Sequence, residues 1–548
     1  MKDIIKNMLA DSIKKTYEDD KFVELIEVQN VTAKNIKADY FTNISMKLAK
    51  ELKINPIKIA DQIVNNLSSS DDVRVDVVKP GYINFLVEDI KKNNIISLIN
   101  KSDNLLQNCK TEKKLRINVE FVSANPTGPL HIGHGRGVIY GNMIAKFLII
   151  QGHNVTKEYY VNDHGNQIRK LCLSILAHIN ENYSENEDDL YQGDYTKEIA
   201  LLLEKNNIKL PDIPKSLDGE RSTTSHTNIP DETREFIVKS MIRKIKDQLD
   251  KLDIEFDNWF YETSLFDKAN KYKPEDLITE LKKSGDIYDD GTDAILLKAE
   301  EPRVLVKSDG TYTYFATDLA YHYLKLKEYD RVIDIWGADH HGYIPRMEAG
   351  LKALGHDINK LDVHLIQFAN LFRDGEKISM STRKGQYVEL DQLSDEIGKD
   401  AINFFYLTKN KDQHLDFDLD IAINQNKNNP VYYIQYAHAR IEKILNEVDD
   451  YKSKEYDFSS LNHELEKELI SALIKFEEVS NKTIMDLQPQ LMTHYLQKLA
   501  QCFHSYYANI KILNDGKADY SKVHLIAAVQ KVIKCGLDLL NINSPKVM

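Results

Sequence analysis

The sequence has few of the features that mark secreted or membrane-spanning proteins. Its 548 residues include four cysteines, none at the CxxC spacing of metal and redox sites. The longest apolar runs, residues 199–203 and 525–529, are far shorter than the roughly 20 residues of a membrane helix. The first 27 residues are charged throughout and have no apolar signal-peptide core. We therefore expect a cytoplasmic protein without membrane association, disulfide framework or structural zinc.

Composition and charge point to a multidomain globular protein. Hydrophobic residues make up 42% and charged residues 29%, and the length suits about three or four domains. The net charge of −13 is uneven, with +1 over residues 1–110, −14 over 111–420 and zero over 421–548. The overall field repels a polyanion, so nucleic-acid binding needs local basic patches. An acidic centre suits a cationic substrate.

The two ends of the chain show different patterns. Residues 1–112 predict an α+β domain, with an amphipathic helix over 54–67 and strands over 71–77 and 82–87 around a Pro-Gly turn. Residues 421–548 show apolar residues at helical spacing and no evident strand, which predicts an all-α helical bundle.

The middle of the chain, residues 113–420, alternates strand and helix patterns. This alternation predicts a Rossmann-like, doubly wound parallel sheet. A helix is expected from about Gly135 to Ile150, ended by Gly152. A polar stretch near 181–231 is interpreted as an insertion. The expected strands are 116–122, 155–161, 331–336 and 363–368.

The strongest local signal is PLHIGHG at residues 129–135, between the first strand of this region and its helix. Ligands bind at the carboxyl ends of parallel strands, and a helix N-terminus there offers N–H groups to phosphate. His131 and His134 can both face such a site, and Gly133 leaves room for a flat base. The pattern therefore indicates an ATP cradle, although half of a metal site or two unrelated structural histidines have the same spacing. No P-loop pattern occurs in the sequence.

A second signal is the basic, glycine-flanked loop RDGEKISMSTRKG at residues 373–385. Four cations and several hydroxyls in one loop can close over a triphosphate and stabilise departing pyrophosphate. Basic loops are also common as plain solvated surface.

Taken together, HIGH at residues 131–134 and SMSTR at 379–383 resemble the two motifs of class I aminoacyl-tRNA synthetases. Longer stretches resemble arginyl-tRNA synthetases, in the same order and over essentially the whole chain. These stretches are GYINF (81–85), EFVSANPTGPLH (120–131), YYVNDHGNQ (159–167), WGADHHG (336–342) and NPVYYIQYAHAR (429–440).

The resemblance implies an arginine–tRNA ligase that forms arginyl-adenylate from L-arginine and ATP with Mg²⁺ and then charges the 3′ adenosine of tRNA(Arg). Adenylate formation in this family generally requires bound tRNA. It also implies an N-terminal domain touching the tRNA and a C-terminal anticodon-binding domain. We expect the chain to work as a monomer.

The same resemblance implies roles for particular residues. The arginine pocket would be lined by Glu120, Asn125, Tyr314 and Asp318, with the last two on the guanidinium. Tyr314 and Asp318 are four apart, hence on one face if helical. ATP would be bound by His131, Gly133, His134, Gly337, Asp339, His340, Met380 and Ser381. Catalysis would fall to His131, His134, Arg383 and Lys384, without a protein-bound metal. The tRNA would meet Asn84, Tyr432, Tyr436 and Arg440, with Tyr433, His504, Tyr506 and Tyr507 as weaker candidates, since bases stack on aromatic rings.

One departure from the family concerns the second motif. The usual Lys-Met-Ser-Lys-Ser reads here with Ser379 and Thr382 in place of the lysines. Arg383 and Lys384 are expected to supply the charge. Three alternatives stay open: a nucleotidyltransferase that acts without tRNA, a class I synthetase for another amino acid, and a non-catalytic tRNA-binding paralogue.

Overall fold

The computed structural model describes residues 2–548 except 32–35, 69–72, 181–189, 212–228, 268–269, 271, 290, 300, 379–387, 449, 455 and 515–516. The chain divides into two compact units. The first comprises residues 1–103, 443–475 and 501–532, and the second comprises 104–442, 476–500 and 533–548. The predicted domains, residues 1–112, 113–420 and 421–548, divide the chain differently from these two units, and their limits stay a prediction.

The N-terminal part of the first unit is a small α+β fold. Its four strands form an antiparallel sheet in the order β1-β2-β4-β3. Ile83 and Phe85 of the last strand are fully buried, so Asn84 between them points to the other face of the sheet. The elements are α1 (Lys2–Tyr17), β1 (Gln29–Asn30), β2 (Tyr40–Thr42), α2 (Ile44–Leu52), α3 (Pro56–Asn65), β3 (Val73–Val78), β4 (Tyr82–Val87) and α4 (Asp89–Lys101).

The second unit contains the alternating strands and helices that the sequence predicts. The elements are β5 (Arg116–Glu120), α5 (Ile132–Gln151), β6 (Asn154–Val161), α6 (Asn166–Leu176), α7 (Asp194–Lys205), α8 (Asp231–Asp250), β7 (Asn258–Tyr261), α9 (Pro274–Ser284), β8 (Ile287–Asp289), β9 (Ile295–Leu297), β10 (Arg303–Val306), α10 (Tyr314–Glu328), β11 (Arg331–Gly337), α11 (Ile344–Ala353), β12 (Leu361–Ile366), β13 (Ala369–Arg373), β14 (Glu376–Lys377), α12 (Leu390–Tyr406), β15 (Leu415–Asp418), α13 (Leu419–Ile423) and α14 (Pro430–Asn446), the last four residues of which are assigned to the first unit. Helix α12 is interrupted at Gly398, and α7 lies within the predicted insertion.

The main sheet of this unit has the predicted doubly wound topology. Five parallel strands follow the order β12-β11-β5-β6-β7. The chain starts in the middle at β5, builds outward through β6 and β7, and later adds β11 and β12 on the other side. The strand order therefore reverses between β5 and β11, and ligands of such sheets bind in the crevice beyond the carboxyl ends at that point.

Helix α5 begins three residues earlier than the sequence suggested. His131 is its N-cap and Ile132 its first residue, while Gly152 ends it with φ 97°, as predicted. The early start has a local cause. Imidazole nitrogens of His131 and His134 accept backbone N–H groups and so cap the first turn. The two histidines therefore lie on the helix end itself.

The last three helices are α15 (Glu464–Met485), α16 (Pro489–Asn509) and α17 (Tyr520–Leu539). The expectation of no strands after residue 421 is wrong in one detail. A two-residue antiparallel pair, β16 (Leu513–Asn514) and β17 (Lys517–Ala518), connects α16 to α17. Two residues are too few to show the alternation by which a strand is recognised. Within the described residues, every helix falls short of the length or apolarity needed to cross a membrane.

Candidate active site

Two closely spaced imidazoles lie at the N-terminus of α5, the first helix after β5. Nδ1 of His131 accepts the Gly133 N–H at 3.1 Å, and Nδ1 of His134 accepts the His131 N–H at 3.2 Å. The ring centroids are 3.9 Å apart with 31° between the planes. A Cβ on Gly133 would lie 2.8 Å from the His131 ring, so this glycine makes room for that ring rather than for a base.

These contacts fix the protonation of both rings. Burial lowers the pKa of His131, and burial together with the charge of His131 lowers the pKa of His134 to about 3. Both rings are therefore neutral at pH 7. Since Nδ1 of each accepts a hydrogen bond, the single proton is on Nε2. The helix end thus presents two neutral N–H donors together with its own dipole, which suits an anionic ligand.

A group of carboxylates lies near the start of α10. The residue Asp318 is half-buried, and its Oδ2 accepts the Tyr343 hydroxyl at 2.8 Å. Loss of water around the carboxylate raises the pKa of Asp318, and the neighbouring charges of Glu120 and Asp334 act in the same direction. The predicted helical relation of Asp318 to Tyr314 is confirmed, because α10 begins at Tyr314.

Sequence reasoning missed a second acid at this point. Glu262 is 5% exposed and is hydrogen-bonded with Thr317 and Tyr160. Burial, together with the charges of Asp318 and Asp163, raises the pKa of Glu262 to about 7. Among the described residues, no ion pair joins Asp163, Glu262 or Asp318 to a basic side chain. Such a cluster of acids suits a cationic ligand, because ionised carboxylates at short range repel one another.

Two other predicted pocket residues are Asn125, in the loop after β5, and Tyr314, the first residue of α10. Nδ2 of Asn125 donates to Oε1 of Gln167 at 2.7 Å. Tyr314 is 59% exposed, and its hydroxyl approaches Gly165, where an added Cβ would lie only 2.8 Å from it. Gly165 has φ +86°, a conformation that favours glycine. Gly165, which precedes α6, therefore faces the first turn of α10.

Glu120, the last residue of β5, is engaged with buried groups. Its Oε2 accepts Lys325 Nζ at 2.7 Å and the Tyr321 hydroxyl at 2.9 Å, and its Oε1 accepts the Ser123 hydroxyl at 2.9 Å. Lys325 Nζ also donates to Asp334 Oδ1 at 2.8 Å. The predicted pocket residue is thus held by a lysine that the sequence analysis did not single out.

Glu120, His322 and Asp334 offer three potential metal-ligand atoms within 4.8 Å of one another. The surrounding chemistry does not fit a metal ion. Lys325 already places an ammonium between the two carboxylates. Both nitrogens of His322 face acceptors at 2.8 Å, the Asp318 carbonyl and Asp334 Oδ2, so both must donate. Burial opposes this charge, but the charge of Asp334 and its hydrogen bond outweigh it and raise the pKa of His322.

Of the remaining residues predicted to bind ATP or to take part in catalysis, the structure describes three. Gly337 ends β11, and Asp339 and His340 follow it on an exposed 3₁₀ turn. Met380, Ser381, Arg383 and Lys384 lie outside the described residues.

One further residue, in the second turn of α5, had no sequence signal. Arg136 is 2% exposed, and its guanidinium donates to the carbonyl oxygens of Gln367, Lys409, Asn410 and Gln413 at 2.7–3.3 Å. It fastens the start of α5 to the end of the sheet and to the loop before β15.

The predicted tRNA-contacting residues differ in accessibility. Tyr432 and Tyr436 are half-buried on α14, with centroids 5.9 Å apart and planes at 12°, and the Arg440 guanidinium lies 4.3 Å from the Tyr436 ring. Asn84 is half-buried on the outer face of the N-terminal sheet. Tyr506 is fully buried and contacts Glu466, so it belongs to the core and not to an RNA surface.

Comparison with known proteins assigns this site to a class. Three family models match in succession: the arginyl tRNA synthetase N-terminal domain over residues 3–87, the class I (R) tRNA synthetase catalytic domain over 94–448 and the DALR anticodon binding domain over 434–548. A doubly wound sheet with paired histidines at its switch point, followed by a helical anticodon-binding region, defines a class I aminoacyl-tRNA synthetase.

Individual relatives narrow the assignment. The chain is 38% identical to an arginine–tRNA ligase of Coxiella burnetii over 93% of this chain and 92% of that one, and 36% identical to one of Vesicomyosocius okutanii over 100% of both. It has the fold of the Thermus thermophilus arginyl-tRNA synthetase, with a TM-score of 0.72, 18% identity and 100% of both chains covered. The chain therefore belongs to the arginyl-tRNA synthetase family.

Proposed function

We propose that this chain is an arginine–tRNA ligase that activates L-arginine with ATP and transfers the arginyl group to the 3′ adenosine of tRNA(Arg), releasing AMP and pyrophosphate. The observation that carries the proposal is the juxtaposition of two features in one unit. An acidic pocket, in which no side-chain ion pair is formed by Asp163, Glu262 or Asp318 among the described residues, lies at the same edge of the sheet as two neutral imidazole donors on a helix N-terminus. The first suits a guanidinium and the second a phosphate.

Arginine has two ends that need different partners. Asp318 and Glu262, with Tyr314, hold the planar guanidinium, for which carboxylates are the best-matched acceptors. The carboxylate of arginine must reach the α-phosphate held at the start of α5. Since Glu120 ends β5 and Asn125 lies in the loop that leads to that helix, both lie at the α-ammonium and carboxylate end.

The two histidines act by positioning and electrostatics. The arginine carboxylate oxygen attacks the α-phosphorus, forming the acyl–phosphate bond, while the bond from the α-phosphorus to the bridging oxygen breaks and pyrophosphate leaves with its electron pair. Nε2–H of His131 and His134 donates to phosphate oxygens as charge builds on them. The adenylate then loses AMP to attack by a hydroxyl of the tRNA 3′ adenosine.

Other roles extend this site. Gly337, Asp339 and His340 bind the adenosine part of ATP, Gly133 leaves the space that the His131 ring needs to bind phosphate, and Met380, Ser381, Arg383 and Lys384 bind the phosphates. Arg383 and Lys384 are the cations for leaving pyrophosphate. Asn84 contacts tRNA from the N-terminal sheet, and Tyr432, Tyr436 and Arg440 provide a stacking surface on α14, because planar rings and guanidinium groups stack on unpaired bases.

Three finer points are part of the proposal. ATP enters as its Mg²⁺ complex, since the metal neutralises the triphosphate. The chain works as a monomer, because catalytic and tRNA-binding regions are present in one chain. It works in the cytoplasm, consistent with four cysteines that form no disulfide with one another.

The test is amino-acid charging of unfractionated tRNA with radiolabelled arginine, lysine, glutamine and cysteine in parallel. Charging with arginine alone is expected, together with arginine-dependent ATP–pyrophosphate exchange that requires tRNA. Binding of tRNA without charging by any of the four would instead indicate a non-catalytic tRNA-binding paralogue.

Arginine binding should depend on pH through Glu262. Its pKa of about 7 in the empty pocket means that a proton competes with the guanidinium below that pH. The arginine KM should therefore rise as pH falls from 8 to 6, by up to about tenfold per unit below pH 7. The measurement is KM against pH for wild type and Glu262→Gln. The variant should bind more weakly and lose the dependence, and an unchanged slope in it would assign the proton to another group.

Gly165→Ala should weaken arginine binding through Tyr314. The new methyl meets the Tyr314 hydroxyl, and the positive φ adds strain of about 1–3 kcal/mol. A several-fold rise in arginine KM with unchanged ATP KM is expected. Gly310→Ala is the matched control, since Gly310 has φ +83° and open space around it. Equal effects of both variants would mean that backbone strain, and not the contact with Tyr314, is responsible.

A further inference from the structure

A buried lysine lies next to Glu120 of the proposed arginine pocket and has no role in the proposed reaction. Lys325 projects from α10 towards the sheet and is 3% exposed. Parallel pairing places Glu158 of β6, Glu120 of β5 and Asp334 of β11 at the same level, so all three carboxylates lie on one face of the sheet. Lys325 is therefore the cation that α10 places against this row of three carboxylates.

The contacts of Lys325 are short and directional. Nζ lies 2.7 Å from Glu120 Oε2 and 2.8 Å from Asp334 Oδ1. The Tyr321 hydroxyl lies 2.9 Å from Glu120 Oε2 and 2.6 Å from Glu158 Oε1, and Lys325 Nζ is 4.7 Å from the Tyr321 ring centroid. Residues 321 and 325 are one helical turn apart, so a single helix face supplies both donors.

This arrangement determines where the Glu120 carboxylate can point. A buried charge that loses its partner is costly, so Glu120 cannot rotate away from Lys325 without a large loss. With Oε2 held by Lys325 and Tyr321, the Oε1 side is turned towards Ser123 and the loop that leads to His131. That loop is where the α end of arginine must lie for its carboxylate to reach the phosphate.

We propose that Lys325 is a positioning residue for arginine recognition: by holding Oε2 of Glu120, it aims the other carboxylate oxygen at the α-ammonium group of bound arginine. The inference rests on the proposed function. It predicts that loss of Lys325 weakens the recognition of the α-ammonium while recognition of the guanidinium by Asp318 and Glu262 persists.

The proposal is tested with two ligands that differ only in the α-ammonium group. Dissociation constants for arginine and for 5-guanidinopentanoic acid, which is arginine without its α-ammonium, are measured by calorimetry on the full chain. In Lys325→Met, arginine should bind roughly tenfold to a hundredfold more weakly, as for a lost charge-assisted hydrogen bond. The analogue should keep its wild-type affinity. Lys327→Met is the control, an exposed lysine on the same helix.

Each other outcome is informative. Equal weakening of both ligands would make Lys325 merely structural, and unchanged arginine affinity would overturn the proposal. Should Lys325→Met not fold, Tyr321→Phe removes the hydroxyl that contacts Glu120 Oε2 and Glu158 Oε1 while Lys325 stays in place, and a several-fold loss confined to arginine is then expected. No selective loss in that variant would also overturn it. Failure of the wild-type chain to bind arginine would refute the proposed function itself.

Discussion

Replacing Asp318 with asparagine should raise the arginine KM by roughly tenfold to a hundredfold, the equivalent of about 1.5–3 kcal/mol for a hydrogen bond to a charged group. The asparagine keeps the shape and one acceptor, but its amide nitrogen faces a guanidinium that only donates. The ATP KM should stay unchanged, because the phosphate donors belong to α5 and not to α10. Tryptic and thermal stability should be preserved, since burial already disfavours the ionised form of Asp318.

The measurement is tRNA-dependent ATP–pyrophosphate exchange at varied arginine and, separately, at varied ATP. Glu328→Gln is the control, because Glu328 is an exposed acid at the end of the same helix. An arginine KM equal to that of wild type would remove Asp318 from the pocket. A parallel rise in both KM values would mean that α10 has moved, and not that a guanidinium contact has been lost.

The elements that the sequence predicts well are the ones with a strong period or a clear end signal. The strand that begins at Arg116 is confirmed at its start, and the Gly152 end of α5 is confirmed as well. The start of α5 is wrong by three residues because histidine is an uncommon N-cap and its capping bonds depend on ring orientation. Strand order is a property of long-range pairing, so the switch point between β5 and β11 required the structure.

The acidic pocket shows a different limit. Glu262 and Asp318 are 56 positions apart in sequence, and the stretch around Glu262 has no recognisable motif. Only the fold brings them together. A usable signal did exist on α10, where Asp318, Tyr321, His322 and Lys325 follow the i, i+3, i+4, i+7 spacing of one helix face. A polar stripe on a helix that packs against a sheet indicates a buried network.

Aromatic residues of the C-terminal helices illustrate a third limit. Tyr436 and Tyr506 both occur at helical spacing, yet one is half-buried beside Arg440 and the other is fully buried against Glu466. Spacing identifies a face of a helix but not which face the bundle covers. The choice between core and RNA-facing tyrosines therefore depends on packing that the sequence pattern does not encode.

Replacing His134 with alanine should lower the rate of arginine activation by about a hundredfold to a thousandfold, the cost of removing one donor from a site where charge develops. The arginine KM should change little, because the pocket acids are on other elements. His134→Gln should retain more activity than His134→Ala, since the glutamine amide can place an N–H donor near the position of the imidazole Nε2. Single-turnover formation of the adenylate with bound tRNA is the appropriate measurement.

Two measurements distinguish phosphate binding by His134 from simple helix capping. His463 accepts the Leu465 N–H at 3.2 Å, the same N-cap contact that His131 makes with Gly133, so His463→Ala tests what loss of a capping histidine does by itself. Activation by that variant should be close to that of wild type. The second measurement is the pH dependence of the activation rate. With its pKa near 3, His134 is a neutral donor throughout the range from pH 6 to 8. A rate that fell as pH rose through 6.5, and lost this fall in His134→Gln, would show that the imidazolium is the active form and that the neutral-donor mechanism is wrong.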